Sequence, residues 1–333
     1  MNIAIIGCGT MGMTHALNLA KLPGVTLTAV VDTNVQRAER AAARTGARWY
    51  TDVDALLEAE QLETVLVCVP TDLHKPFVLK LAERGLHVIC EKPAALSSED
   101  ALEMKEACEK HGVRLFIGHV VRFFPNYQDA YAKANSGQIG IPRMAHLKRY
   151  GSYPKGMDAW YHDASRSGGV ILDLMIHDID FACWLFGAAE SVYATLVERG
   201  EPAVEYAQVT IQFKNRAIAN LTGYWGYPGS FTTQFEVSGD QGIVRFDSNQ
   251  AQSLDIKLAA GAADEQASAV QVPSSPSLHD PYYYEVEHFI ECIRSGGEPL
   301  VSIDDAAYAV TIARAAEQSA QTGQPVMMGG TVS

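Results

Sequence analysis

The stretch Asn2-Ile3-Ala4-Ile5-Ile6-Gly7-Cys8-Gly9-Thr10-Met11-Gly12 decides how the rest of the chain is read. A short apolar run of strand type enters a G-x-G-x-x-G pattern, and Met11–Lys21 then has helical spacing that stops near Pro23-Gly24. Glycine is common, so the pattern alone is weak. Its setting gives it weight: a strand precedes it, a helix follows, and Asp32 closes the next β-branched run, Val25–Val31, 20 residues after Gly12. In such a turn Gly7 permits the tight bend, Gly9 lets backbone approach a pyrophosphate, and Gly12 lets the helix pack close to the sheet. The helix N-terminus adds amide donors and the positive end of its dipole. A carboxylate at Asp32 accepts hydrogen bonds from a ribose diol and repels the extra phosphate of NADP, so NAD is expected in preference. Arg37, further on, reads as part of a solvated helix face.

The alternation continues outward from this turn. Asn34–Thr45 reads as a helix capped by Gly46, followed by a weak strand at Arg48–Tyr50 and a helix near Asp52–Glu58. Thr64–Val69 is unbroken in its apolarity, as a fully buried strand is. Helix Asp72–Arg84, strand His87–Cys90, helix Ser98–Lys110 and strand Val113–Ile117 complete the pattern. Strand–helix alternation with short connections predicts right-handed crossovers and a doubly wound parallel α/β sheet over residues 1–120.

After Gly118 the grammar changes. Helix Pro125–Ala134 leads into Arg143–Tyr150, and a helix covers about Val170–Phe186. Strand-like runs follow at Glu190–Glu198, Glu205–Lys214, Ala217–Trp225, Phe231–Ser238 and Gly242–Phe246, with Asn215-Arg216 as a tight turn. Segment 259–277 is rich in Ala, Ser and Pro and reads as a loop, and helices close the chain near Tyr282–Arg294 and Asp304–Gln321. Residues 121–333 are therefore expected to form an α+β domain around a mainly antiparallel sheet.

Composition agrees with two domains, since 333 residues at about 150 per domain give roughly that number. With 47% hydrophobic and 20% charged residues the chain is neither disordered nor collagen-like nor a coiled coil. The charge, 26 − 39 = −13, would repel a phosphate backbone, so nucleic acid is not expected as a partner. Six cysteines, at 8, 68, 90, 108, 183 and 292, form no C-x-x-C pair and read as small buried hydrophobes in a reducing compartment. The N-terminus lacks the basic region of a signal peptide, and no run of about 20 apolar residues exists, so a cytoplasmic protein is expected.

Ligands of open parallel sheets bind beyond the carboxyl ends of the strands. Two strand ends carry suitable chemistry: Val69-Pro70-Thr71, with His74 just after it, and Glu91-Lys92-Pro93. Lys92 is a candidate base there; the alternative is a surface ion pair between Glu91 and Lys92. The Lys92–Pro93 bond is open to either isomer.

A third constellation follows Ser167-Gly168-Gly169. In Val170-Ile171-Leu172-Asp173-Leu174-Met175-Ile176-His177-Asp178-Ile179-Asp180, residues Asp173, His177 and Asp180 recur at i+4 and i+3, one stripe of a continuous α-helix. Titratable groups on an apolar helix are costly unless paired or used. Asp173 can hold His177 in one tautomer and leave the other ring nitrogen for proton transfer. A stripe facing water and a divalent-metal site are the other readings. Arg122, Phe123-Phe124-Pro125, Trp160 and His162 suit a polar ring-shaped substrate, although each alone also fits core packing.

With these residues in place the chain resembles the glucose–fructose oxidoreductase / inositol dehydrogenase (Gfo/Idh/MocA) family. The matching motifs are the Gly7–Gly12 turn, Pro70-Thr71-x-x-His74, Glu91-Lys92-Pro93, Arg122-Phe-x-Pro125 and Gly168-Gly169-x-x-x-Asp173-x-x-x-His177-x-x-Asp180, in family order. The resemblance implies an NAD(P)-dependent sugar or polyol dehydrogenase with Lys92, Asp173 and His177 as catalytic trio. It implies cofactor contacts from Gly7, Cys8, Gly9, Thr10, Met11, Gly12, Asp32, Pro70, Thr71, His74, Glu91 and Lys92. Substrate contacts would come from Lys92, Arg122, Trp160, Asp173, His177 and Asp180, with no metal. Trp160, His162 and Tyr282 sit outside any tight motif, and His119 stands where many relatives carry another polar residue, so inositol itself is not assumed. The second domain's sheet would be open, with self-association into a homodimer or homotetramer through it. Two other activities occur on a fold of this kind: a non-catalytic NAD-sensing regulator resembling the galactose-pathway co-repressor, and a hydrolase or lyase using NAD transiently.

Overall fold

A computed structural model describes residues 1–200, 203–250 and 279–329. The first of two compact units contains β1 (Asn2–Ile6), α1 (Thr10–Leu19), β2 (Thr26–Val31), α2 (Val35–Thr45), β3 (Arg48–Tyr50), α3 (Val53–Ala59), β4 (Thr64–Val67), α4 (His74–Glu83), β5 (His87–Glu91), α5 (Ser98–Lys110) and β6 (Leu115–Gly118). The sheet order is β3-β2-β1-β4-β5-β6 and every pairing is parallel. This is the doubly wound order in which the strand sequence reverses beside β1. Unbroken apolarity in the strands follows from burial on both faces: Ile3 and Ile5 pack with Leu19 and Phe116 on one side, while Ala4 and Ile6 pack with Val78 and Leu81 on the other. Asn34, Asp52 and Ser97 cap α2, α3 and α5 by accepting from backbone N–H groups, and Gly46 ends α2 in the left-handed region.

Two glycines of the opening turn are demanded by contact. Gly7 has φ +93°, and a Cβ there would lie 2.3 Å from the Cys68 carbonyl oxygen; a Cβ on Gly12 would lie 1.8 Å from the Gly7 carbonyl oxygen. Gly12→Ala must therefore push α1 off the sheet, and we expect a loss of about 3 kcal/mol, read by denaturant unfolding. An unchanged midpoint would show that the helix gives way without cost.

The chain continues with α6 (Pro125–Asn135), β7 (Pro142–Gly151), the single turn α7 (Ala164–Ser167), a π-helical turn at Val170–Leu174, and α8 (Ile176–Phe186). Strands β8 (Ala189–Arg199), β9 (Val204–Phe213), β10 (Ile218–Trp225), β11 (Thr232–Gly239) and β12 (Ile243–Asp247) follow, then α9 (Pro281–Ser295), α10 (Ile303–Thr322) and β13 (Val326–Met327). The second unit holds a seven-stranded sheet of order β12-β11-β7-β10-β9-β8-β13. It is antiparallel except for one pair: β8, β9 and β10 form a meander, and β10 then lies parallel to β7, with Leu221 opposite Leu147. The turn at Asn215-Arg216 is present, with Arg216 at φ +67°. One face is buried through residues such as Val192, Ile211 and Leu221, whereas Met144, Tyr193, Val197 and Ile218 are exposed.

By contact, the division between the two compact units falls first at Phe124/Pro125. Helix α9, the first part of α10 up to Thr311, and Ser165–Ser167 belong to the first unit. The reason is apolar: Tyr283, Val286, Phe289 and Ile290 of α9 join the cluster of Ile3, Ile5 and Phe116. The loop expected at 259–277 lies outside the described residues. None of the six cysteines forms a disulfide with another. Among the described residues no helix is long and apolar enough to cross a membrane.

Candidate active site

In the first unit the opening turn has the shape a pyrophosphate needs. Nothing lies within 4 Å of the place a Gly9 Cβ would occupy, so this side of the turn is open to a ligand's approach. Gly9 is also the N-cap of α1, and no side chain caps the helix there. The first-turn N–H groups are thus left to an anion. Asp32 is buried at the end of β2 and accepts from the Cys8 N–H and the Asn34 N–H, both at 2.8 Å. Its carboxylate is thereby tied to the glycine turn itself. These residues fit a dinucleotide.

The strand ends beyond β4 and β5 are tied together by His74. Its ring is buried, with Nδ1 2.9 Å from the Pro93 carbonyl and Nε2 3.0 Å from the Val69 carbonyl. Burial lowers its pKa although both carbonyls favour the cation, so the neutral ring donates to one of them. Thr71 is buried at the start of a single 3₁₀ turn, and Pro70 precedes it half-buried. The Lys92–Pro93 bond is cis.

Glu91 does not form the surface ion pair considered above. It is buried, and its Oε1 lies 2.6 Å from His15 Nε2 on α1 while its Oε2 accepts from the Lys92 N–H at 3.2 Å. Burial alone would raise the Glu91 carboxyl, but the His15 hydrogen bond and the Lys92 charge bring it below the ordinary value. Glu285 of α9, also buried, is pushed well above the ordinary value by burial and by the charge of Glu91. Among the described residues, one group gathers at least three ligand-type side chains: His15, Cys68 and Glu91, whose atoms lie within 4.8 Å of one another. Within this group His15 Nε2 and Glu91 Oε1 bond directly to each other, and burial raises the Cys68 thiol.

In the second unit the helix expected over 170–186 is interrupted. Residues Val170–Leu174 form a π turn, with the Met175 N–H bonded five residues back to the Val170 carbonyl, and α8 then begins at Ile176. Asp173 therefore sits in the π turn and His177 and Asp180 in α8, so the single α-helical stripe is corrected. Such turns concentrate at functional sites. Asp173 and Asp180 are buried and His177 is half-buried, which disposes of a stripe facing water. Two charged devices hold this region. Arg149 of β7 grips the Asp178 carboxylate through Nε and Nη2, both at 2.9 Å, and also reaches the Tyr127 hydroxyl. Glu205 of β9 accepts from the Val170 N–H at 2.7 Å and from the Tyr153 hydroxyl at 2.5 Å.

Other expected residues fare differently. Arg122 is buried, and its Nη1 donates to the Leu300 carbonyl at 3.0 Å and to Asp305 at 3.2 Å within the first unit. Trp160 is half-buried and packs on Tyr161, and His162 is exposed and stacks on Tyr153 at 4.5 Å. Tyr282 is buried, edge-on to His15 in the first unit. His119 is fully buried. Sequence reading missed His15, Glu205 and Glu285; the one available signal was a histidine among apolar residues of α1, three positions after Gly12.

Residues 1–119 match the family model described as an oxidoreductase family, NAD-binding Rossmann fold, and residues 133–328 match that family's C-terminal alpha/beta domain. Over 98% of its length the chain is 30% identical to scyllo-inositol 2-dehydrogenase (NAD(+)) of Bacillus subtilis, covering 95% of that protein. It is 29% identical to myo-inositol 2-dehydrogenase of Thermotoga maritima, with 98% of each chain covered. The structure of GenD2 from gentamicin A biosynthesis in complex with NAD superposes with a TM-score of 0.90 at 27% identity, covering 99% of this chain and 97% of that one. Glycine turn, parallel sheet and matched domains define an NAD-dependent oxidoreductase. The chain belongs to the Gfo/Idh/MocA family.

Proposed function

We propose that this protein oxidises a secondary alcohol of a sugar, sugar derivative or cyclitol. The reading is carried by the presence of three residues able to handle protons, Lys92 after β5, Asp173 in the π turn and His177 in α8, in a chain of an NAD-binding family. Bound NAD supplies the hydride acceptor. His177 accepts the hydroxyl proton, Lys92 polarises the same hydroxyl, and Asp173 orients the imidazole and stabilises its charged form. Asp180 and Trp160 contact the substrate. Relatives named for inositols support a polyol ring as the substrate class. The test is a panel of sugars and polyols with NAD⁺ and NADP⁺, followed at the NADH absorbance band. Product without net NADH would replace this reading with the hydrolase or lyase.

Asp32 sets the preference for NAD over NADP. Asp32→Ser removes a charged acceptor for the ribose diol, a contact of about 1.5–3 kcal/mol, so the ratio of kcat/KM for NAD⁺ over NADP⁺ should fall by about tenfold or more. An unchanged ratio would remove the carboxylate from cofactor choice. We also propose a cytoplasmic homodimer or homotetramer assembled through the outer face of the seven-stranded sheet, supported by the exposed Met144, Tyr193, Val197 and Ile218. Light scattering with Val197→Lys would test that face.

A further inference from the structure

The residues around the end of β5 form a buried polar assembly that the proposed chemistry does not use directly. Glu91, the last residue of β5, folds its carboxylate back so that one oxygen meets His15 Nε2 at 2.6 Å and the other accepts the Lys92 N–H at 3.2 Å. On the far side of Lys92, the Pro93 carbonyl meets His74 Nδ1 at 2.9 Å. The segment 91–93 is thus gripped by one imidazole through a side chain and by another through the backbone. His15 is 2% exposed and lies in α1, the helix that the glycine turn opens. The groups facing the pair are Cys68 beyond β4, Cys90 on β5, and Tyr282 and Glu285 on α9. A buried carboxylate this well satisfied has few other positions open to it, because leaving either hydrogen bond would strand a charge in an apolar surround.

We propose that His15, acting through Glu91, is a positioning residue for Lys92: it links the helix of the dinucleotide turn to the backbone from which the Lys92 amine projects. This rests on the role proposed above for Lys92. It gives Glu91 a part within the protein, since both its oxygens accept hydrogen bonds from this chain.

The test compares His15→Leu, His15→Gln and Glu91→Gln with Lys92→Met in the full-length protein. The glutamine amide keeps a donor near the place of Nε2, whereas leucine keeps only volume. We expect His15→Leu to lower kcat at least tenfold with KM for the alcohol and NAD affinity (by calorimetry, NAD alone) within threefold. His15→Gln should recover kcat to within threefold of the parent. In NAD-free protein the rate of Lys92 labelling by an amine-acylating reagent, read by peptide mass spectrometry, should change at least threefold in His15→Leu and not in His15→Gln. Should His15→Leu fail to fold, Glu91→Gln carries the same expectations for kcat, NAD affinity and labelling, because an amide cannot accept both hydrogen bonds. Parental kcat and labelling in the folded variants would overturn the positioning role, as would loss of kcat and NAD affinity together. A Lys92→Met protein that turns over normally overturns the underlying assignment of Lys92 instead, so the two failures are distinct.

Discussion

Lys92→Met is expected to lower kcat by about 10³-fold while NAD affinity stays within about threefold. Methionine keeps much of the apolar stem and removes the ammonium, so the change reports on charge and proton handling rather than on volume. The backbone N–H of Lys92 is held by the Glu91 carboxylate, a bond that does not depend on the Lys92 side chain, so the strand end should keep its shape. Lys92→Arg should not restore turnover, because guanidinium stays charged and presents a planar fork rather than a compact ammonium. Stopped-flow turnover and calorimetric NAD binding give the two readouts. Parental kcat in the methionine variant would leave His177 as sole proton acceptor and remove Lys92 from the mechanism.

The second large effect concerns stability of the unit that carries Asp173 and His177. Arg149 and Asp178 are almost wholly buried, and their two 2.9 Å contacts fasten α8 to β7 one residue from His177. Burial opposes the Arg149 charge, but the Asp178 carboxylate outweighs it and raises the pKa above the ordinary value. Tyr127, third in the group, is pushed up to about 12 by burial. Arg149→Met leaves the Asp178 carboxylate without its main partner and should cost about 3–5 kcal/mol. For a unit of this size that is a fall in Tm of roughly 10 °C or more. Pairing it with Asp178→Leu should recover most of the loss, since two apolar groups leave no buried charge. Calorimetry of the single and double variants checks both statements; equal Tm values for Arg149→Met and the parent would show water reaching the site.

What could be read from the sequence was what local chemistry dictates. The glycine turn, Asp32, and the run Glu91-Lys92-Pro93 are each defined within a few residues of a strand end, and the parallel order follows from alternation and handedness. The partners were not legible, because they lie far off in sequence. His15 and Glu91 are 76 residues apart, and Arg122 meets Leu300 178 residues away. The partners of Arg122, Leu300 and Asp305, are likewise not announced by the stretch that carries it. The π turn was invisible for another reason: an extra residue in one turn leaves the apolar pattern on either side intact. β10 lying beside β7 was hidden because pairing order in a mixed sheet is not written in alternation.

The return of α9 to the N-terminal sheet bears on how the polypeptide leaves the ribosome. Phe116 stacks on Phe289 at 5.0 Å, Asn18 donates to Asp280 at 2.8 Å, and Arg114 donates to the Cys292 carbonyl at 2.7 Å. A nascent chain that has emerged only as far as β12 already has all six strands of the first sheet, yet one flank of it still lacks its covering helix. Such a chain would offer Phe116 and Phe123 to chaperones, and the first sheet would finish folding only after α9 had been synthesised.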